Sequence, residues 1–260
     1  MNQANINIHN STAELYQALA YRWTTMAHQA IKDHGAFHVA LAGGGTPKQL
    51  YQLLATEAFA ATLPWQQTHI YFGDERCVAP EHNDSNYRMA SLALLNHVPI
   101  PAQNIYRIAG ENPQHEQAAA DYEKILQQHL PQDDNGYHFD LVLLGLGPDG
   151  HIASLFPDTA ILNIDNRLAA AVYVEKFSSW RISLTFPIIK QARHLLLVVA
   201  GSGKAEIIRQ VLGHDTVTHL FPVQHISPQS EWHLDRDAAS LLSSEHQISY
   251  KEYYDHNSGC

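Results

Sequence analysis

Apolar positions along the chain change period several times, and each change marks an element. Leu15, Leu19, Trp23, Met26/Ala27 and Ala30/Ile31 recur at helical spacing behind the capping box Ser11-Thr12-Ala13-Glu14. This predicts a long helix with one core face, ended by Gly35. Phe37 to Ala42 then reads as a short strand that breaks into Gly43-Gly44-Gly45-Thr46-Pro47. There Thr46 suits the N-cap and Pro47 the first position of the next helix. The same grammar returns at Thr68 to Gly73 before Asp74-Glu75-Arg76, at Phe139 to Leu146 before Gly147 to His151, and at Leu195 to Ala200 before Gly201 to Lys204. Apolar runs alternating with helical stretches imply parallel strands covered on both faces. Helices are expected to begin at Ser85-Asn86, at Asn112-Pro113 and near Gly203. Further strands are expected at Ala170 to Val174 and Arg181 to Phe186, the latter ended by Pro187.

The expected fold is therefore α/β: a Rossmann-like, doubly wound, mainly parallel sheet with helices on both faces, in one domain over residues 1–243. Residues 244–260 turn polar and read as a C-terminal tail. With 45% hydrophobic and 16% charged residues, a chain of 260 residues can fill a sizeable core. The formal net charge of −10 would repel nucleic-acid phosphates and anionic lipid, so neither partner is expected. No apolar run reaches the roughly 18 residues of a membrane span, and no basic opening marks a signal peptide. A cytoplasmic monomer or weak homo-oligomer is the default. Cys77 and Cys260 make no zinc-type spacing, and the 18 histidines include no HExxH, so no metal is expected and most histidines read as solvated.

The chemically rich clusters all fall at carboxyl ends of expected strands, where open parallel sheets bind ligands. Gly43-Gly44-Gly45-Thr46 offers backbone N–H groups to a phosphate or carboxylate, although a tight βα turn would use the same residues. Gly145-Leu146-Gly147-Pro148-Asp149-Gly150 matches GxGxxG, but Asp149 would face the pyrophosphate and Glu175 lies too far on to hold a ribose, which argues against a dinucleotide. Gly201-Ser202-Gly203-Lys204 imitates a Walker ending without its Ser/Thr, since Ala205 follows. His151, oriented by Asp149, is the candidate general base. Arg76, Arg181 and Lys204 are candidate anion or oxyanion partners, and Glu75 is the reserve base. Cys77 beside Arg76 could be a nucleophile, but no histidine partner is readable.

Ala42-Gly43-Gly44-Gly45-Thr46-Pro47, Phe72-Gly73-Asp74-Glu75-Arg76 with Ser85-Asn86, Gly145 through Pro157, Arg181-Ile182-Ser183-Leu184-Thr185 and Gly203-Lys204, in this order, resemble the 6-phosphogluconolactonase family. The resemblance implies metal- and cofactor-independent hydrolysis of 6-phosphoglucono-δ-lactone in the oxidative pentose phosphate pathway. Carried onto this chain, it puts the substrate phosphate at Gly44, Gly45 and Thr46 with Lys204 and Arg181. Asp74 also binds substrate, and Arg76, Glu75, Asp149 and His151 surround the reacting end. Glucosamine-6-phosphate deaminases share the fold, but they continue Phe-Asn-Glu-Pro where this chain has Ser154-Leu155-Phe156-Pro157, and Asp-Glu-Tyr where it has Asp74-Glu75-Arg76. A non-catalytic sugar-phosphate sensor would keep the anion loop and need no His151.

Overall fold

The structure, a computed structural model, describes residues 5–213, 220–226 and 229–243. Along them run β1 (Asn5–His9), α1 (Thr12–His34), β2 (Phe37–Leu41), α2 (Gly45–Leu54), α3 (Glu57–Ala60), β3 (Thr68–Phe72), β4 (Asp74–Arg76), α4 (Asn86–Ala93) and α5 (His115–His129). They are followed by β5 (Gln132–Asp133), β6 (Gly136–Tyr137), β7 (Leu141–Leu144), β8 (Ala169–Val174), β9 (Ser179–Leu184), α6 (Phe186–Lys190), β10 (His194–Val199), α7 (Ala205–Leu212) and β11 (Glu231–Asp235).

Helix α1 follows its sequence signals closely. Ser11 accepts from the Glu14 N–H, Gly35 turns into the left-handed region at φ 85°, and Leu15, Leu19, Trp23 and Ala27 are buried along one stripe. Six strands form the main sheet in the order β1-β11-β10-β7-β2-β3. All five pairings are parallel. Every residue of β2 and β7 is buried, which requires cover on both faces of the sheet centre. Winding reverses at β2, which has β3 on one side and β7 on the other. The crevice beyond the carboxyl ends of β2 and β7 is thus the switch point at which such sheets take ligands. A small sheet of order β4-β9-β8 is antiparallel and carries Asp74, Glu75, Arg76 and Arg181.

Several boundaries differ from expectation. Thr46 is not an N-cap: Gly44, at φ 100°, lets the chain enter α2 at Gly45 and puts Thr46 inside the first turn. Asn112 does not start α5; its side chain accepts from the Gln114 N–H in a local turn, and the helix begins at His115. Ser202–Lys204 forms a 3₁₀ turn before α7 starts at Ala205. Strand β9 ends at Leu184, and Pro187 sits in the first turn of α6. The histidines are less solvated than expected, because His9, His38, His138 and His233 are buried on or beside strands. The expected tail at 244–260 lies outside the described residues.

Candidate active site

The loops after β2, β3, β7 and β10 converge on one cleft of about 250 Å³, lined by Gly43 to Pro47, Gly73, Asp74, Arg76, Gly145 to Pro148, His151, Ala153 and Lys204. A second chamber of about 440 Å³ shares Asp74, Arg76, His151 and Ala153 with the first and adds Asp84, Ser154, Phe156, Phe177, Ser179 and Arg181. The two chambers therefore meet at the candidate base.

On one side stands the amino end of α2. The first turn of a helix leaves its N–H groups without intrahelical partners, and no side chain caps α2. Gly44 and Gly45 are exposed there, so their backbone is open to an anion. Across the cleft, Lys204 donates from Nζ to the Leu146 carbonyl at 2.6 Å. Burial lowers the Lys204 pKa, while the charge of Asp149 acts in the opposite direction.

His151 and Asp149 are hydrogen-bonded through Nδ1 and Oδ1. The other Asp149 oxygen accepts from Lys176 Nζ at 3.1 Å. Burial pushes the Asp149 carboxyl up, but the hydrogen bond and charge of His151, with Lys176, outweigh it and hold the group well below the usual carboxylate range. Asp149 is thus an acceptor, so Nδ1 of a neutral His151 carries the proton and Nε2 carries the lone pair. The Phe156 ring lies 4.0 Å from the imidazole, centre to centre, and covers one face. Gly147 lies under the ring so closely that a Cβ there would overlap Nδ1, Cε1 and Cγ. Ala153, two residues on, takes φ 47°, a left-handed conformation uncommon for a residue with a side chain.

Asp74 is 7% exposed and its carboxylate is fixed from two directions. Ser154 Oγ donates to Oδ2 at 2.6 Å and Asn86 Nδ2 to Oδ1 at 3.1 Å. Arg76 stands opposite Arg181 in the β4–β9 register. Its Nη1 donates to the Asp84 carbonyl at 2.6 Å. Burial, reinforced by the like charge of Arg76, lowers the Arg181 pKa. Such a pair of guanidinium groups suits an anionic ligand.

Of the expected site residues, the structure brings together Gly44, Gly45, Thr46, Asp74, Arg76, His151 and Lys204 on the first chamber. Asp149 reaches the cleft through His151. Arg181 does not line the glycine-loop chamber; it faces the second one with Arg76. Glu75 is a correction. Its carboxylate turns away from the cleft to the start of α4, where it accepts from the N–H groups of Arg76, Asn86 and Tyr87 at 2.7–2.8 Å and from Ser85 Oγ at 3.0 Å. Three of these donors lie at the amino end of α4 and the fourth on β4, so the carboxylate ties the two elements together. At Cys77, for which no histidine partner was readable, burial raises the thiol to about 11, and the charge of Arg181 does not compensate. Sequence reasoning missed Asn86, Ser154 and Lys176 as neighbours of the site. Asn86 and Ser154 stand inside motifs that were legible, but only the fold aims them at Asp74.

A profile of the family described as glucosamine-6-phosphate isomerases/6-phosphogluconolactonase matches residues 10–234, and the chain belongs to that family. Within it, the 6-phosphogluconolactonase of Synechocystis sp. is 40% identical over 222 residues, covering 84% of this chain and 90% of that protein. Among solved structures, the devB protein superposes with a TM-score of 0.82 at 33% identity, covering 92% of this chain and 99% of that one. The 6-phosphogluconolactonase from Trypanosoma cruzi superposes with a TM-score of 0.81 at 27% identity, covering 93% and 98%.

Proposed function

We infer that the chain is a 6-phosphogluconolactonase, hydrolysing 6-phospho-D-glucono-1,5-lactone to 6-phospho-D-gluconate in the oxidative pentose phosphate pathway. The observation that carries the mechanism is the Asp149–His151 pair at the junction of two chambers that Lys204, Arg76 and Arg181 line. The C6 phosphate sits on Gly44, Gly45 and Thr46 with Lys204, and Arg181 adds charge from the neighbouring chamber. Nε2 of His151 takes a proton from water while the water oxygen bonds to C1. The resulting tetrahedral oxyanion lies within the field of Arg76. Cleavage of the bond from C1 to the ring oxygen then returns the proton from His151 to that oxygen, giving the open-chain acid. Asp149 holds the imidazole in the required tautomer and stabilises its cation.

Despite the net charge of −10, the cleft offers an anionic substrate the side chains of Lys204, Arg76 and Arg181. No described helix is long and apolar enough to cross a membrane. On this reading the enzyme works in the cytoplasm as a monomer or weak homo-oligomer, with no nucleic-acid or membrane partner and no metal or cofactor.

The decisive experiment generates the lactone with glucose-6-phosphate dehydrogenase and follows its loss above spontaneous hydrolysis. Wild-type enzyme is expected to accelerate that loss and to use unphosphorylated gluconolactone poorly, while His151→Gln keeps affinity for 6-phosphogluconate and turns over slower by a factor on the order of 10²–10⁴. Near-normal turnover by His151→Gln would sink the assignment of the base, and equal kcat/KM for the two lactones would sink that of the phosphate site.

A further inference from the structure

We propose that Asn86 is a positioning residue that locks the anion-binding glycine loop to Asp74 and thereby sets how well the site holds a phosphorylated sugar. The proposal rests on the reading that this loop takes the substrate phosphate. Asn86 is 3% exposed and is the first residue of α4. Its Nδ2 donates to the Asp74 carbonyl at 2.9 Å and to Asp74 Oδ1 at 3.1 Å, so one amide group fixes both the main chain and the side chain of that residue. The other side of the same amide lies against Gly43. A Cβ added at Gly43 would overlap Oδ1, Cγ and Nδ2 of Asn86 and meet no other group first. The amide thus fills the space that a side chain at position 43 would occupy, immediately before the loop residues Gly44 and Gly45.

Three segments that share no secondary-structure element are tied at this point. The glycine loop follows β2, Asp74 begins β4, and Ser154 closes the far side by donating to Asp74 Oδ2. A chain of contact therefore runs from the phosphate loop through Asn86 and Asp74 to the segment carrying His151. Loosening this chain lets the loop N–H groups drift from the phosphate, and because the phosphate is held alike in substrate, transition state and product, the loss falls on KM and on product affinity. The start of α4 does not depend on this amide. Glu75 accepts from the Asn86 main-chain N–H, and Ser85 caps the helix, so truncating the Asn86 side chain leaves both anchors.

The test is a cycle of Gly43→Ala, Asn86→Ala and the double variant, with Lys204→Ala alongside. For each, KM and kcat are measured on phosphorylated and unphosphorylated lactone, with the inhibition constant of 6-phosphogluconate. Each single variant is expected to lose about 10- to 100-fold in kcat/KM for the phosphorylated lactone, chiefly through KM, and to weaken 6-phosphogluconate in parallel. Turnover of the unphosphorylated lactone should change far less. The double variant should be no worse than either single one, because removing the amide makes room for the methyl group introduced at position 43. Losses that multiply in the double variant overturn the proposal. So does a fall in kcat alike for both lactones with KM and inhibition constant unchanged, which is the signature of lost folded protein. If Asn86→Ala does not fold, Gly43→Ala alone decides, since an unchanged KM there rules out the coupling. If Lys204→Ala also leaves phosphate discrimination intact, the phosphate site itself is misplaced and the proposal falls with it; if only Lys204→Ala alters discrimination, the phosphate site stands and Asn86 does not serve it.

Discussion

Gly147 carries the imidazole of His151 directly on its α-carbon, with no room between them for a methyl group. The Gly147 N–H also donates to the His151 carbonyl at 2.8 Å, so the turn that presents the proposed base is closed by the residue beneath it. Gly147→Ala is therefore expected to displace the ring from Asp149 and slow turnover by about 100-fold, while melting changes modestly. Gly145 provides the control, because a Cβ there meets nothing within 4 Å. Comparable losses in Gly145→Ala would show that the loop, and not the ring contact, is being perturbed.

Glu75→Gln should separate anchoring from catalysis. The carboxylate is buried, which raises its pKa, while the N–H groups of Tyr87, Asn86 and Arg76 and the Ser85 hydroxyl pull it down. Replacing the charge by an amide weakens these charge-assisted bonds and leaves an NH₂ facing donors. A loss of about 1–3 kcal/mol in urea unfolding is expected. Turnover per folded molecule should stay within several-fold of wild type. Turnover slowed by about two orders of magnitude, the scale of a lost acid–base group, at unchanged stability would return Glu75 to the reaction.

Cys77 is expected to behave as an inert thiol. With its pKa raised to about 11, the thiolate is scarce at neutral pH. Alkylation by iodoacetamide at about pH 7.5, mapped by mass spectrometry, should be slower at Cys77 than for a free cysteine. Cys77→Ser should keep turnover within about twofold of wild type. Rapid modification with parallel loss of turnover would contradict the burial.

Acid should destabilise the fold before it protonates most carboxylates. Burial, with His69, His34, His138 and His129 nearby, lowers His38 from 6.5 to about 3. Burial and His233 lower His9 to about 4. Both groups are neutral in either state above a pH of about 6.5. Between that value and the folded ones the unfolded chain binds the extra protons, so stability is lost as pH falls through that window. At about pH 5 each group accounts for roughly 2 kcal/mol relative to pH ~7.5. Urea midpoints measured across this range should fall, and the fall should be shallower in His38→Gln and His9→Gln. A flat profile in wild type would show that these rings are hydrated.

The placement of the site at strand ends was legible because glycine loops and strand runs are local signals. Gly43 to Pro47 and Gly145 to His151 each announce a turn by composition alone, and β2 and β7 beneath them are continuously apolar. The two strands at the β1 end of the sheet were harder. Strand β1 reads Asn-Ile-Asn-Ile-His and β11 reads Glu-Trp-His-Leu-Asp, each too polar to stand out before pairing is known. Strand β4 hides the Asp-Glu-Arg triplet inside an antiparallel pairing with β9, and that pairing turns Asp74 and Arg76 to the cleft and leaves Glu75 for α4. Neighbouring residues on a strand face opposite ways, so a catalytic role shared by the whole triplet could not survive the pleat. The capping errors at Thr46 and Asn112 have a common origin: a positive φ at Gly44 and a side-chain turn at Asn112 each moved the helix start from the residue that composition favours.

The pairing of β1 with β11 has a bearing on how the molecule comes into being. Strand β1 is the first strand of the described chain, and its sheet partner is the last, with Asn5 aligned to Glu231 and His9 to Asp235. During synthesis the amino-terminal strand must wait, unpaired, until nearly the whole domain has left the ribosome. Strands β2, β3, β7 and β10, whose loops build the cleft, are contiguous in the sheet without it. The half that bears the cleft can therefore gather first, and the strand pairing most distant in sequence among the described residues seals the edge afterwards, a late and entropically expensive step of the kind that slows folding.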